Sequence, residues 1–301
     1  MSPSTPFIER VAKPACRWME AFGLNPIALR YVFPGLVAAV RDYAVLKRQN
    51  RAAGRPFRLR FSMPCLKDRY EDSGSARGHY FHQDLLVARR IFARKPERHM
   101  DVGSRVDGFV AHVAAFREIE VFDIRPLSVA VPGVRFRQMD LMNPSDAFAA
   151  CCDSLSCLHA IEHFGLGRYG DPVDLDGHLK GFHALSKVLK PGGMLYLSVP
   201  IGPERIDFNA NRVFAVQTLL DLALAEYALA GFSYVDDAGA LHEDVAITPE
   251  RAADSFGCQY GCGIFEFRKR DNKPCRALNS NAEHRTSNAQ LRSCSTAAYE
   301  V

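Results

Sequence analysis

The segment at residues 184–200, ALSKVLKPGGMLYLSVP, constrains the fold more than any other stretch. Leu185, Val188 and Leu189 recur at helical spacing, Lys187 and Lys190 suit a helix C-terminus, and Pro191 ends the run. Gly192 and Gly193 allow the chain to reverse, and residues 194–199 form an apolar run of strand length. A helix therefore gives way to a strand with two buried faces, as in the interior of a parallel sheet. Alone, the turn fits any helix-to-strand connection, so its neighbours decide the reading.

Those neighbours alternate strand and helix. An amphipathic helix over 85–92 follows His82-Gln83-Asp84, with Asp84 suiting its first turn and Pro96 ending it. Residues 99–104 make a short strand running into a turn, and Phe109, Val110, Val113 and Phe116 mark the next helix. Further strands are expected at 119–124, 134–139 and 150–159, then a loop rich in glycine over 165–172 and a helix to Leu189. A helix over 213–229 precedes late strands at 232–235 and 263–267, which fit an antiparallel edge. The fold class is α/β, a Rossmann-like doubly wound, mostly parallel sheet.

The expected organisation is a helical N-terminal extension over 1–78, the α/β domain over 79–270 and a polar, disordered tail over 271–301. The extension reads as helical pieces punctuated by Pro14, Pro26 and Pro34, with a short strand expected over 57–61. The apolar stretch at 27–40 is cut by Arg30, Pro34 and Gly35, so neither a signal peptide nor a membrane span is expected. Arg41, Lys47, Arg48, Arg51, Arg55, Arg58 and Arg60 form either a solvated face or an anion-binding patch. A net charge of +4 over 301 residues gives no warrant for a nucleic-acid partner. Nine irregularly spaced cysteines point to a reducing, cytoplasmic setting. Cys258 and Cys262 read as core or loop thiols, and no metal site is expected.

In a nucleoside-binding sheet, the first strand-to-helix turn needs glycine where the ligand approaches the backbone, and an acid about twenty residues on binds the ribose. Residues 101–108, DVGSRVDG, keep Asp101 and Gly103, and Asp123 stands at the right interval. Taken in order, this turn, Asp123, Asp140, Glu162-His163 and the L-K-P-G-G turn resemble class I S-adenosylmethionine-dependent methyltransferases. Arg105 and Asp107 stand where that superfamily usually has two more glycines; Gly108 compensates by one position, or the turn no longer binds cofactor. The resemblance implies S-adenosyl-L-methionine as cofactor, bound by the turn residues Asp101, Gly103, Ser104 and Gly108, with Gly103 at the methionine part, Asp123 at the ribose and Asp140 at the adenine. Tyr80 and Gln83 would cover it from the preceding helix, though Asp123 and Asp140 also suit helix capping.

A closer resemblance rests on HYFHQD from His79, HAIEHFGLGRYGDP from His159, VPIG from Val199, FNANR from Phe208 and YGCGIFEF from Tyr260. Together these are similar to the uncharacterised family called domain of unknown function 268, and implies a methyltransferase-like fold with a saccharide as one acceptor class. For a hydroxyl acceptor a base is wanted, and His163, with an ordinary pKa of about 6.5, is the first choice beside His159 and Glu162. Arg168, Tyr169 and Asp171 from one loop, and Asn209, Asn211 and Arg212 from the next, would meet a small polar acceptor at the strand ends. Two other readings stand: a catalytically degenerate binding module, and a zinc hydrolase using H-x-x-E-H over 159–163.

Overall fold

The computed structural model describes residues 19, 22, 26–54, 57–74, 76–144 and 146–271; Pro14 and the tail beyond Asp271 lie outside them. The chain divides into two units, residues 1–75 and 76–301. In the first, helix α1 (Pro26–Ala52) runs through Pro34 without breaking, against the expectation of separate pieces. Tyr31 stacks on Tyr70 at 5.2 Å, Arg69 pairs with Asp42, and residues 57–61 form no strand.

The second unit carries an eight-stranded sheet in the order β3-β2-β1-β4-β5-β10-β8-β9. Its central strands are β1 (His99–Val102), β2 (Ile119–Asp123), β3 (Val134–Gln138), β4 (Cys152–Leu158) and β5 (Leu189–Ile201), all parallel. Asp101 pairs with Val121 on one side and Ser156 on the other, so β1 is flanked by β2 and β4 and the winding direction reverses beside it. Ligand clefts of open α/β sheets form at such a reversal, outside the carboxyl ends of the strands.

The Pro-Gly-Gly segment is an excursion at the start of β5. Cys152 faces Leu189 while Ser154 already faces Met194, so the residues between bulge outward, with Gly192 at φ +74°. Beyond β5 a small hairpin joins β6 (Arg205–Asp207) to β7 (Asn211–Val213). The strands β8 (Tyr227–Val235), β9 (Leu241–His242) and β10 (Gly261–Lys269) complete the main sheet. The antiparallel edge expected of the late strands is present as β10, β8 and β9, with β10 lying between β5 and β8 and pairing Phe265 with both Leu197 and Phe232.

Helices cover both faces, as a buried parallel sheet requires. On one, α2 (His79–Arg94) lays Leu86, Val87 and Ile91 with Val110, Val113, Val121 and Ile264. The helix after β1 begins as a wide turn (Val106–Val110) and continues as α3 (Ala111–Ala114). On the other face, α4 (Gly177–Val188) and α5 (Val216–Ala223) bury Phe182, Leu185, Leu219 and Leu220 against Leu155, Leu197 and Phe265. The helix expected over 213–229 is cut to α5 because Val213 pairs with Arg205 in the hairpin and Tyr227 with Lys269 in the sheet. A short α6 (Pro249–Ala253), capped by the Thr248 hydroxyl, precedes β10. Asp84 sits within α2 rather than in its first turn, because the helix begins at His79.

Candidate functional site

At the reversal point the turn after β1 forms the floor of a cleft. Gly103 holds φ +74° and donates its amide to the Phe122 carbonyl at 2.8 Å, and an added Cβ would come within 2.7 Å of the Ala160 Cβ. Only glycine meets both demands. Beneath it Asp101 is fully buried and accepts from the Ser104 hydroxyl at 2.8 Å, the Ser104 amide at 3.1 Å and the Ser156 hydroxyl at 2.5 Å. Burial pushes its carboxyl up to about 7, against the pull of those bonds. Asp101 and Ser104 thus brace the turn from below, off the cleft wall expected for them.

Arg105 and Asp107 do not fill the cleft. The guanidinium pairs with the Asp107 carboxylate at 2.9 and 2.7 Å, with its side chain 64% exposed. Gly108 supplies no compensating approach either: it is needed because a Cβ there would stand 2.8 Å from the Asp84 Oδ2. Gln83, expected over the cofactor, is buried inside α2's contact with the sheet, donating to Asp84 at 3.1 Å and accepting from Ser198 at 2.5 Å. Tyr80 stays half exposed, its ring 5.2 Å from that of His159.

The cleft holds about 510 Å³, open solvent included. One end is walled by Asp123, Asp140, Leu141 and Met142, and the floor by Val102 and Gly103. Asp140 turns one carboxylate oxygen to the Met142 amide at 2.9 Å. Both Asp123 oxygens are held by the Arg125 guanidinium, at 3.0 and 2.6 Å, so the expected ribose acid already has a cationic partner. Arg125 also lies 4.5 Å over the Tyr169 ring. Sequence reasoning passed over this arginine, although its position two residues after the acid, at the end of β2, is a usable signal.

The other end is built from the residues after β4. His159 lies just beyond the strand, and its Nδ1–H donates to the Glu162 Oε1 at 2.7 Å. His163 Nδ1–H donates to the Ala210 carbonyl at 2.6 Å, which also takes the Arg168 Nη1 at 2.8 Å. These partners assign the tautomer and leave the His163 Nε2 lone pair as proton acceptor. Burial holds the His163 pKa below its ordinary value, outweighing the Glu162 carboxylate, so the ring is neutral near pH 7. At His159 burial opposes protonation, but Cys262 and Glu162 outweigh it and raise the pKa.

His159, His163, Tyr169 and Asp171 line this end, while Glu162 is wholly buried behind the two imidazoles. Asp171 is spent on the loop itself, accepting the amides of Gly165, Gly167 and Tyr169. Arg212 is likewise no substrate hook. Buried at the base of the hairpin, it donates to the carbonyls of Glu162, Phe164, Asp174 and Leu175. Asn211 is buried beside it and accepts from the Tyr260 hydroxyl at 3.3 Å, and Asn209 stands exposed at the hairpin tip. The H-x-x-E-H segment forms no helix of the zinc-hydrolase kind, since β4 ends at Leu158 and residues 161–163 make a single tight turn. Its two histidines are tied to different partners through Nδ1, His159 to Glu162 and His163 to Ala210.

The profile of the family described as "Caenorhabditis protein of unknown function, DUF268" matches residues 134–251. No curated protein matches the chain. Among solved structures, 1,6-didemethyltoxoflavin-N1-methyltransferase from Burkholderia thailandensis, with bound 1,6-didemethyltoxoflavin and S-adenosylhomocysteine, is 16% identical, covering 63% of this chain and 79% of its own at a TM-score of 0.45. The N-methyltransferase NodS from Bradyrhizobium japonicum WM9, in complex with S-adenosylhomocysteine, is 12% identical over 70% of this chain and 93% of its own, TM-score 0.42. The [4+2]-cyclase SpnF is 15% identical over 77% and 96%, TM-score 0.46. Among the described residues no helix is long and apolar enough to cross a membrane.

Proposed function

We propose that this chain, which carries the DUF268 family's segment over residues 134–251 within a class I methyltransferase-like sheet, is an S-adenosylmethionine-dependent methyltransferase acting on a small polar acceptor, a saccharide among them. The catalytic unit in this reading spans 79–270, and the odd cysteine count supports a cytoplasmic setting. The observation that carries it is the Gly103 floor: side-chain-free, at the strand reversal, with Arg105 turned outward onto Asp107.

In this reading Gly103, Asp123 and Asp140 hold the cofactor, which supplies an electrophilic methyl group when bound. Asp123 keeps lone pairs for hydroxyl donors beside the three bonds it accepts from Arg125. His163 takes the acceptor's proton at Nε2, its Nδ1–H fixed by Ala210, and Glu162 stabilises the imidazolium from 3.7 Å. Tyr169 and Arg168 at the rim orient the acceptor, and His159, whose Nδ1–H is held by Glu162, packs behind them. A non-catalytic binding module is the second reading, favoured by the Arg125 clasp on Asp123.

Calorimetric titration with S-adenosylhomocysteine separates the two. Binding is expected, weakened by about 1 to 3 kcal/mol in Asp123→Ala through loss of a hydrogen bond to a hydroxyl pair. His163→Ala should lower turnover with affinity for the cofactor product unchanged. Folded protein giving no heat at high micromolar ligand overturns the methyltransferase reading.

A further inference from the structure

His79, His159 and Cys262 come from three separate elements, the start of α2, the end of β4 and the start of β10, yet their ligating atoms all lie within 4.8 Å of one another. The His159 ring is 96% buried and gives its Nδ1–H to Glu162, which leaves Nε2; that atom is buried and has no hydrogen-bond partner. His79 stacks 5.1 Å from it, and the backbone of Tyr260 hydrogen-bonds the His79 ring. The Cys262 thiol lies beside the His159 ring, whose pKa it raises, and has two further long contacts, 3.8 Å to the Gln83 carbonyl oxygen and 3.9 Å to the Gly263 carbonyl.

We infer that His79, His159 and Cys262 bind one zinc-class divalent cation. Two imidazoles and a thiolate suit a borderline-soft metal and not magnesium or calcium, whose ligands are oxygens. Histidines that hold a metal give their other ring N–H to a carboxylate or a backbone carbonyl, which is the arrangement of His159 on Glu162 and of His79 on Tyr260. Tetrahedral zinc places its nitrogen and sulfur ligands roughly 3.3 to 3.6 Å apart, so the cluster closes by about an ångström, and His79, half-buried at a helix start, is the least buried of the three. Binding needs a thiolate and neutral imidazoles, so it releases to solvent the Cys262 proton and the proton that the raised pKa places on the His159 Nε2, and leaves the fourth position to water. The site uses one histidine of the H-x-x-E-H segment and keeps Glu162 as a positioning residue, not a ligand. It goes beyond methyl transfer and stands whether or not the cleft binds a cofactor.

The test uses the full chain, loaded with zinc, dialysed and analysed for metal content, then titrated with cobalt(II). One ion per chain is expected, with a thiolate-to-cobalt band in the near ultraviolet. Cys262→Ser should abolish the band, and zinc affinity, read by competition with a chromophoric chelator, should fall by more than the roughly 10- to 100-fold expected for Glu162→Gln. If Cys262→Ser fails to fold, His79→Ala, checked by circular dichroism, must show the same loss of stoichiometry. Folded wild type that retains no zinc, or a band that persists in Cys262→Ser or His79→Ala, overturns the inference.

Discussion

Asp101→Asn isolates an electrostatic cost at the centre of the site. The carboxyl lies under the Gly103 turn with no exposure, and burial raises its pKa from 3.8 to about 7. A folded-state pKa above the unfolded value means that the folded chain holds the proton more tightly. Asp101 therefore costs nothing below about pH 4, and its cost grows as the pH rises until it levels off above pH 7. At about 1.36 kcal/mol per unit, the gap of roughly three units sets an upper value near 4 kcal/mol, of which about 2.5 kcal/mol falls between pH 5 and pH 8.

The wild-type pH profile alone does not isolate this effect. Asp84, raised by burial to about 6, acts in the same direction. His79 and His99, lowered by burial to about 4 and about 3, act in the opposite one, since a depressed histidine adds stability as the pH rises. The readout is thus the difference between Asp101→Asn and wild type in urea unfolding at the two pH values. Asparagine keeps an acceptor for the Ser104 amide, and both serine hydroxyls can reorient. The variant should gain about 2.5 kcal/mol relative to wild type on going from pH 5 to pH 8, with m unchanged. A difference that is the same at both pH values refutes the argument, and with it the claim that Asp101 is desolvated beneath the turn.

Arg212→Lys keeps the charge but cannot reach four carbonyls from one planar fork, so the urea midpoint should fall by an amount worth about 2 to 4 kcal/mol; a midpoint within error of wild type would return Arg212 to the list of substrate hooks. Gly103→Ala brings a Cβ to 2.7 Å from Ala160 at a positive φ, and thermal unfolding should show a loss of about 1 to 3 kcal/mol. A stable Gly103→Ala protein would mean that the cleft floor tolerates a side chain.

The strand and helix alternation was legible because apolar periodicity changes sharply at each turn, and the first four parallel strands lie within a few residues of the expected positions. Gly103, Asp123, Asp140, His159, His163, Tyr169 and Asp171 are all on the cleft wall, since strand ends in a parallel sheet converge by topology alone. Arg212, Asn211 and Gln83 looked like binding groups because the sequence shows their polar groups and not the partners that occupy them: backbone carbonyls that accept from Arg212 and Asn211, and the Ser198 hydroxyl that donates to Gln83. Residues 213–229 were unreadable for another reason: a nearly continuous apolar run satisfies both the helical and the strand period, and pairing of Tyr227 with Lys269, far along the chain, decides. The His79–His159–Cys262 cluster escaped notice because its members lie on elements that only the sheet order brings together.

The two arginines at the mouth of the cleft act in opposite ways, and that contrast explains how a turn poor in glycine can keep its floor. Arg105 pairs with an acid two residues on, outside the turn, so the substituted positions alter the outer surface and not the space above Gly103. Both members of that pair are largely exposed, so it adds little stability and could rearrange freely. Arg125 pairs inward: Asp123 is only 10% exposed and lies on the wall itself. Any ligand with vicinal hydroxyls must share that carboxylate with the guanidinium or move it off Tyr169, and the arginine's stacking opposes the move. Selection at this cleft therefore falls on the Asp123–Arg125 pair, while the missing glycines, the feature of the sequence most at odds with nucleoside binding, stand where they do not obstruct it.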